Sequence, residues 1–123
     1  MGRNPLIKLE NFGQSVWLDY ISRSLIDKGE LLRFIEHDHV KGVTSNPSIF
    51  EKAIAKTNDY EHEIEQLCRK DVPNAQMLYE NLAIKDIQEA CDLLRQTYEK
   101  THGLDGFASL EVSPHLAFQT EET

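Results

Sequence analysis

Four side chains carry most of the chemistry this sequence can offer: Asp19 in SVWLDY, Thr44 and Asn46 in KGVTSNPSIFEKAI, and Glu111 in GFASLEV. Each lies toward the C-terminal end of a run that reads as a β-strand. In a parallel α/β sheet those ends meet on one face, and that face is where such folds keep their sites. Two carboxylates converging with an amide suit acid/base work on a hydroxylated substrate, because burial can raise one carboxyl pKa while hydrogen bonds keep the other ionised. Structural uses compete for the same residues. Asp19 fits a turn acid after a strand, and Asn46 fits a helix cap. Glu111 inside an apolar strand has a weaker structural use, since an unpaired buried glutamate is costly.

The elements that must position these groups alternate along the chain. SVWLDY, Ser15 to Tyr20, reads as a first strand with Val16 and Leu18 on one face and Trp17 and Asp19 on the other. Glu30 to Asp38 reads as a helix leading into a second strand at about Val40 to Ser45. There Asn46 stands directly before Pro47, a cap residue followed by proline at the first helical position, so strand passes straight into helix. The helix's free N–H groups then point outward beside the strand end. NDYEHEIEQLCRK places Tyr60, Ile64, Leu67 and Cys68 on one helical face, with Glu61 and Glu63 at the first turn and Arg69 and Lys70 at the last. From Ala83 to Lys100 the apolar positions Ile84, Ile87, Cys91, Leu94 and Tyr98 recur at helical spacing, and Gly103 stands just beyond. Gly106 to Val112 reads as a third strand, with Phe107, Ser109 and Glu111 facing one way.

Strands separated by long helical connections imply a parallel sheet. Three strands do not complete one, and Gln119 to Glu122 reads as a further helix start. The expectation is a single incomplete domain over 1–123, the N-terminal part of a larger α/β unit, with 1–13 as an extension packed against it.

A length of 123 residues allows one core, and the formal charge of −8 argues against nucleic-acid and anionic-membrane surfaces, which need clustered Lys and Arg. No run approaches the roughly 20 apolar residues that span a bilayer, and the start MGRNPLIKLENFGQS lacks a signal-peptide core. The chain reads as cytoplasmic. Cys68 and Cys91 lack metal-type spacing and read as buried, reduced thiols. Glu36-His37-Asp38-His39 has no remote ligand set to complete a metal site, and His115 reads as a rim or packing residue.

GQSVWLDYISRSLI, KGVTSNPSIFEKAI, ENLAIKDIQEA and GLDGFASLEVSPHLA resemble, in order, the N-terminal third of transaldolase, in the branch with a Trp-Leu-Asp first strand. The resemblance runs from about Asn4 to Thr120, and TSNPS is its most specific piece. It implies a (β/α)8 TIM barrel of the class I aldolase type, of which this chain is about three βα units. The implied activity belongs to the pentose phosphate pathway. A dihydroxyacetone unit moves between ketose and aldose phosphates through a lysine Schiff base, without metal or organic cofactor. The implied partners are sugar phosphates (sedoheptulose 7-phosphate, fructose 6-phosphate, erythrose 4-phosphate and glyceraldehyde 3-phosphate), with room for a homo-oligomer.

By the same resemblance Asp19 is the acid/base that takes the sugar hydroxyl proton as the carbon–carbon bond breaks. Glu111 handles protons through a water as the imine forms, Asn46 hydrogen-bonds the three-carbon unit, and Thr44 lines the pocket. The family's Schiff-base lysine, on the fourth strand, has no counterpart among Lys8, Lys28, Lys41, Lys52, Lys56, Lys70, Lys85 and Lys100, none of which falls at a predicted strand's C-terminal end. The alternative function is therefore a catalytically inactive, truncated barrel piece that acts only by association with a complementary chain. A phosphosugar isomerase barrel also uses strand-end carboxylates but does not account for TSNPS.

Overall fold

The computed structural model describes residues 4–71 and 74–123. Strands β1 (Val16–Leu18), β2 (Val40–Val43) and β3 (Phe107–Ala108) run parallel in the order β1-β2-β3. Parallel neighbours need crossovers. The first consists of α2 (Arg23–Asp27) and α3 (Glu30–His37), and the second of α4 (Pro47–Ala55), α5 (Glu61–Arg69) and α6 (Ala75–Lys100). Each strand lies beside its sequence neighbour, so the sheet grows one βα unit at a time in one direction, as expected of the opening units of a barrel wall. No helix among the described residues is long and apolar enough to cross a membrane.

Local signals account for most helix starts. Ser22 accepts a bond from the Leu25 N–H, Asn46 from Ile49 and Asn74 from Met77, each satisfying a donor that the helix itself leaves free. Helix α2 was not expected from the sequence, and α6 begins at Ala75 rather than at Ala83. Residues 119–123 close one turn, in which the Thr123 N–H reaches the Gln119 carbonyl at 3.1 Å.

The strands are shorter than their sequence runs. Pairing continues one residue past each assigned end, with the Thr44 N–H on the Leu18 carbonyl and the Ser109 N–H on the Val43 carbonyl, both at 2.9 Å. Beyond it Pro47 starts a helix on one side. On the other side, residues 110–112 find no ladder partner among the described residues.

One apolar layer lies between the sheet and its helices. Val43, Ile21, Leu31, Phe50 and Leu94 are buried there, with Leu18 and Ala108 packed against them. The buried stripe of α6 is Leu82, Ala83, Asp86, Ala90 and Leu94; it keeps Leu94 from the expected stripe, with Ile87 half-buried against the core, and is otherwise turned by about one position. Ile84 and Tyr98 are consequently exposed. The same offset corrects the reading of the cysteines: Cys91 stands about 100° round the helix from Ala90, Cys68 lies near the end of α5, and both are exposed free thiols.

Gly42 is required by contact, since a Cβ there would lie 2.3 Å from ring carbons of Trp17, whose indole crosses β2. Trp17 Nε1 donates to Asp105 Oδ1 at 2.9 Å, which ties β1 to the loop before β3. At the opposite end of the chain, α1 (Pro5–Lys8) and a 3-10 turn (Leu9–Phe12) run along the start of β2. Asn4 Nδ2 donates to Asp38 Oδ1 at 2.6 Å, and Glu10 Oε1 meets His39 Nδ1 at 2.8 Å and Lys41 Nζ at 3.3 Å. Residues 1–3 of the expected extension over 1–13 lie outside the described residues.

Candidate active site

The strand register assembles the first part of the site. Leu18, Val43 and Ala108 are a matched row facing the helices. Side chains alternate along a strand, so the next row, Asp19, Thr44 and Ser109, turns to the face away from the helices. Thr44 Oγ1 donates to Asp19 Oδ1 at 2.7 Å, joining the ends of β1 and β2. Ser45, which points back and is buried, donates from Oγ to the Ser109 carbonyl at 2.6 Å and fixes the end of β2 to β3.

Asn46 has extended backbone, and its Oδ1 accepts the Ile49 N–H at 3.0 Å. This is the helix-cap role, and it aims the residue. The side-chain NH2 makes no hydrogen bond among the described residues and is available to donate to a ligand hydroxyl or carbonyl. Asp19 is exposed, with Oδ1 held by Thr44. Among the described residues its other oxygen has no hydrogen-bond partner.

Glu111 stands apart. It lies past the end of β3, exposed, and lines a groove of about 490 Å³ together with Pro47, Tyr79, Ile84 and His115. Among the described residues no contact joins it to Asp19 or Thr44. Burial, with smaller contributions from the Glu111 and Glu80 charges, pushes the Tyr79 hydroxyl above its ordinary value, and that buried hydroxyl has no hydrogen-bond partner among the described residues. The two carboxylates are thus not assembled into a buried, dissimilar pair by these residues. Asp19, Thr44 and Asn46 cluster at the β1 and β2 ends, and Glu111 faces the start of α6.

The lysines lie on helices, at helix ends or early in a strand. Lys41 is the second residue of β2 and pairs with Glu10, at the opposite end of the strand from Thr44. Lys85 on α6 pairs with Glu63 at 3.0 Å. Among the described residues no group of three or more His, Cys, Asp and Glu side chains could hold a metal ion, and the run from Glu36 to His39 forms none.

Sequence reasoning missed a buried polar network directly behind Asp19. Arg23, four residues on, donates from Nε to Asp86 Oδ1 at 2.9 Å and pairs with Glu63 through Nη1. The Tyr60 hydroxyl donates to Asp86 Oδ2 at 2.5 Å and accepts the Arg23 backbone N–H at 3.0 Å. The Arg23 guanidinium also lies 4.6 Å from the Tyr60 ring centroid. Burial works against the Arg23 charge, but Asp86 and Glu63 outweigh it and hold the guanidinium above its ordinary value. Burial and the adjacent Asp86 push the Tyr60 hydroxyl up, so it remains protonated as a donor. The sequence signal for Asp86 was incomplete: it lies four residues from both Leu82 and Ala90, which only the packing of α6 shows to be its core face. A carboxylate in that stripe requires a buried cation or donor.

Comparison with known proteins gives the family. A model of the Transaldolase/Fructose-6-phosphate aldolase family matches residues 16–123. A transaldolase of Trichodesmium erythraeum is 46% identical over 123 residues, covering all of this chain and 32% of that protein. Transaldolase 2 of Nostoc punctiforme is 44% identical over the same length, again covering all of this chain and 32% of its own. A transaldolase of Thiobacillus denitrificans is 45% identical over 115 residues, 94% of this chain and 32% of the relative. The chain spans about a third of the length of these curated relatives. With the match extending from the first residue of β1 through the strand-end cluster to Thr123, the chain belongs to the transaldolase/fructose-6-phosphate aldolase family.

Proposed function

We propose that this chain forms the first three βα units of a (β/α)8 transaldolase barrel and contributes acid/base and substrate-binding groups to dihydroxyacetone transfer between sugar phosphates. The observation that carries the reading is the Thr44–Asp19 hydrogen bond across adjoining strand ends, immediately before the Asn46-capped helix. Among the described residues it leaves the second Asp19 oxygen without a hydrogen-bond partner, and the Asn46 amide, two residues on from Thr44, likewise has its NH2 unpaired.

In the proposed reaction, a lysine amine from outside residues 1–123 adds to the C2 carbonyl of the ketose phosphate, and loss of water gives the imine. The open Asp19 oxygen takes the C4 hydroxyl proton. The C3–C4 bond breaks, its electrons pass into the enamine, and the aldose phosphate leaves. An acceptor aldehyde enters, the enamine carbon attacks it, and Asp19 returns the proton to the new hydroxyl. Asn46 donates to the bound three-carbon unit. Glu111 acts through a water in forming and hydrolysing the imine, a role that needs its segment brought toward the strand ends by the remainder of the barrel. The setting is cytoplasmic, with fructose 6-phosphate or sedoheptulose 7-phosphate as donor and erythrose 4-phosphate or glyceraldehyde 3-phosphate as acceptor.

The test is a full-length hybrid in which this chain replaces the matching third of the Trichodesmium erythraeum transaldolase. Borohydride with fructose 6-phosphate should inactivate it by trapping the imine, and the labelled lysine should map outside residues 1–123. A label on one of the lysines of this chain would refute the placement of the nucleophile. A soluble, folded hybrid without transfer activity would refute the reading.

A further inference from the structure

We infer that Tyr60, Asp86 and Arg23 form a positioning device for Asp19, acting through the backbone of the turn that follows β1; the role rests on the transaldolase reading above. Only three residues separate Asp19 from Arg23, and of these Ile21 and Ser22 are buried, with Ser22 Oγ capping α2 through the Leu25 N–H. The turn is therefore held at both ends: Thr44 grips the Asp19 carboxylate in front, and the Tyr60 hydroxyl grips the Arg23 N–H behind. Tyr60 uses both capacities of its hydroxyl, accepting from that N–H and donating to Asp86. Asp86 in turn fixes the Arg23 side chain, so one residue is locked through both main chain and side chain.

Burial of this much polarity is poorly explained by stability. A buried ion pair often recovers little more than its own desolvation, and apolar groups of the same volume commonly do as well. What a fully satisfied buried network does supply is a single geometry. The three groups come from α2, from the turn before α5 and from the middle of α6, so the position of the turn is referred to two other helices of the layer. A misplacement of the order of 1 Å at a reacting group can cost about 10²-fold in rate.

Tyr60→Phe isolates the effect, because it removes one hydroxyl and keeps the buried ring against Arg23. In the full-length hybrid, kcat per folded molecule should fall about 10- to 100-fold with KM little changed. Borohydride-trapped imine should accumulate, since imine formation does not use Asp19 while bond cleavage does. Asp19→Ala/Tyr60→Phe should be no slower than Asp19→Ala alone. Amide hydrogen exchange should quicken over residues 19–23 and stay slow in β2 and α6, a readout that requires no activity. Unchanged kcat per folded molecule, additive effects in the double variant, or exchange that rises evenly through the whole layer would each overturn the positioning role. If the unsubstituted hybrid traps no imine, the transaldolase reading fails instead, and the exchange experiment alone decides whether Tyr60 holds the turn.

Discussion

Thr44→Val removes one hydroxyl and leaves a β-branched side chain of nearly the same volume at the end of β2. The backbone bond from Thr44 N–H to the Leu18 carbonyl, 2.9 Å long, is untouched, so the strand end stays paired. What is lost is the 2.7 Å bond to Asp19 Oδ1. Hydrogen bonds to ionised groups contribute roughly 1.5–3 kcal/mol, and the low end applies because Asp19 is exposed and water can replace the hydroxyl. If that bond orients the base only during carbon–carbon cleavage, about 1.5 kcal/mol corresponds to a roughly tenfold loss in kcat. The full-length hybrid should show that loss with fructose 6-phosphate and erythrose 4-phosphate, together with a larger trapped-imine fraction. Its melting temperature should stay close to that of the parent. Turnover equal to the parent's would refute the assignment of Thr44 as the group that orients Asp19. A fall in trapped imine parallel to the fall in kcat would place Thr44 in substrate binding instead.

Asp19→Ala in the same protein should lower kcat by about 10²- to 10⁴-fold while the imine still forms and accumulates, the range for a positioned acid/base; unchanged turnover would reduce Asp19 to a turn residue. The Glu10 carboxyl is held below its ordinary value of 4.5, chiefly by the hydrogen bond from His39 and further by Lys41. A carboxyl lowered by folding stabilises the fold above its unfolded pKa and loses that contribution as pH falls through the folded value. The melting difference between wild type and Glu10→Gln should therefore be full near pH 6 and shrink as pH drops below about 4.5; a difference independent of pH would show that this ion pair does not anchor the N-terminal segment. By itself the 123-residue chain, with Ile84, Tyr98 and Leu104 exposed and both sheet edges free among the described residues, should bind ANS and elute above its 14.1 kDa mass; a sharply melting, ANS-negative monomer would contradict this.

Buried charge gives the Arg23 network an asymmetric response to mutation. Removing one partner leaves the others desolvated without compensation, which costs about 3–5 kcal/mol for a buried pair, whereas replacing the whole set by apolar groups need cost little. That asymmetry separates a network kept for geometry from one kept for strength.

The amino-acid sequence by itself determined much of what acts within one or two helical turns, although the Ser22 cap of α2 and the Asn74 cap of α6 went unread. Asn46-Pro47 announced the start of α4, charge and apolar spacing marked α3 and α5, and the β-type run VWL marked β1. The order of strands and helices made the sheet parallel, and with it Asp19 and Thr44 came to neighbouring strand ends. Tertiary structure alone decided the rest, because it depends on which faces meet. The apolar stripe of α6 could be read one position either way, and only packing against the sheet buried Asp86 and left Ile84 and Cys91 outside. Glu111 matched the alternation of a strand, but strands persist only where a ladder partner exists, and among the described residues β3 pairs through Ser109 and no further. Arg23 and Asp86 are 63 positions apart, and their bond exists because α2 and α6 cross behind the turn that carries Asp19. No local rule reaches that far: caps and periodicity express bonds within a few residues, whereas a buried ion pair is made when two remote helices exclude the same water.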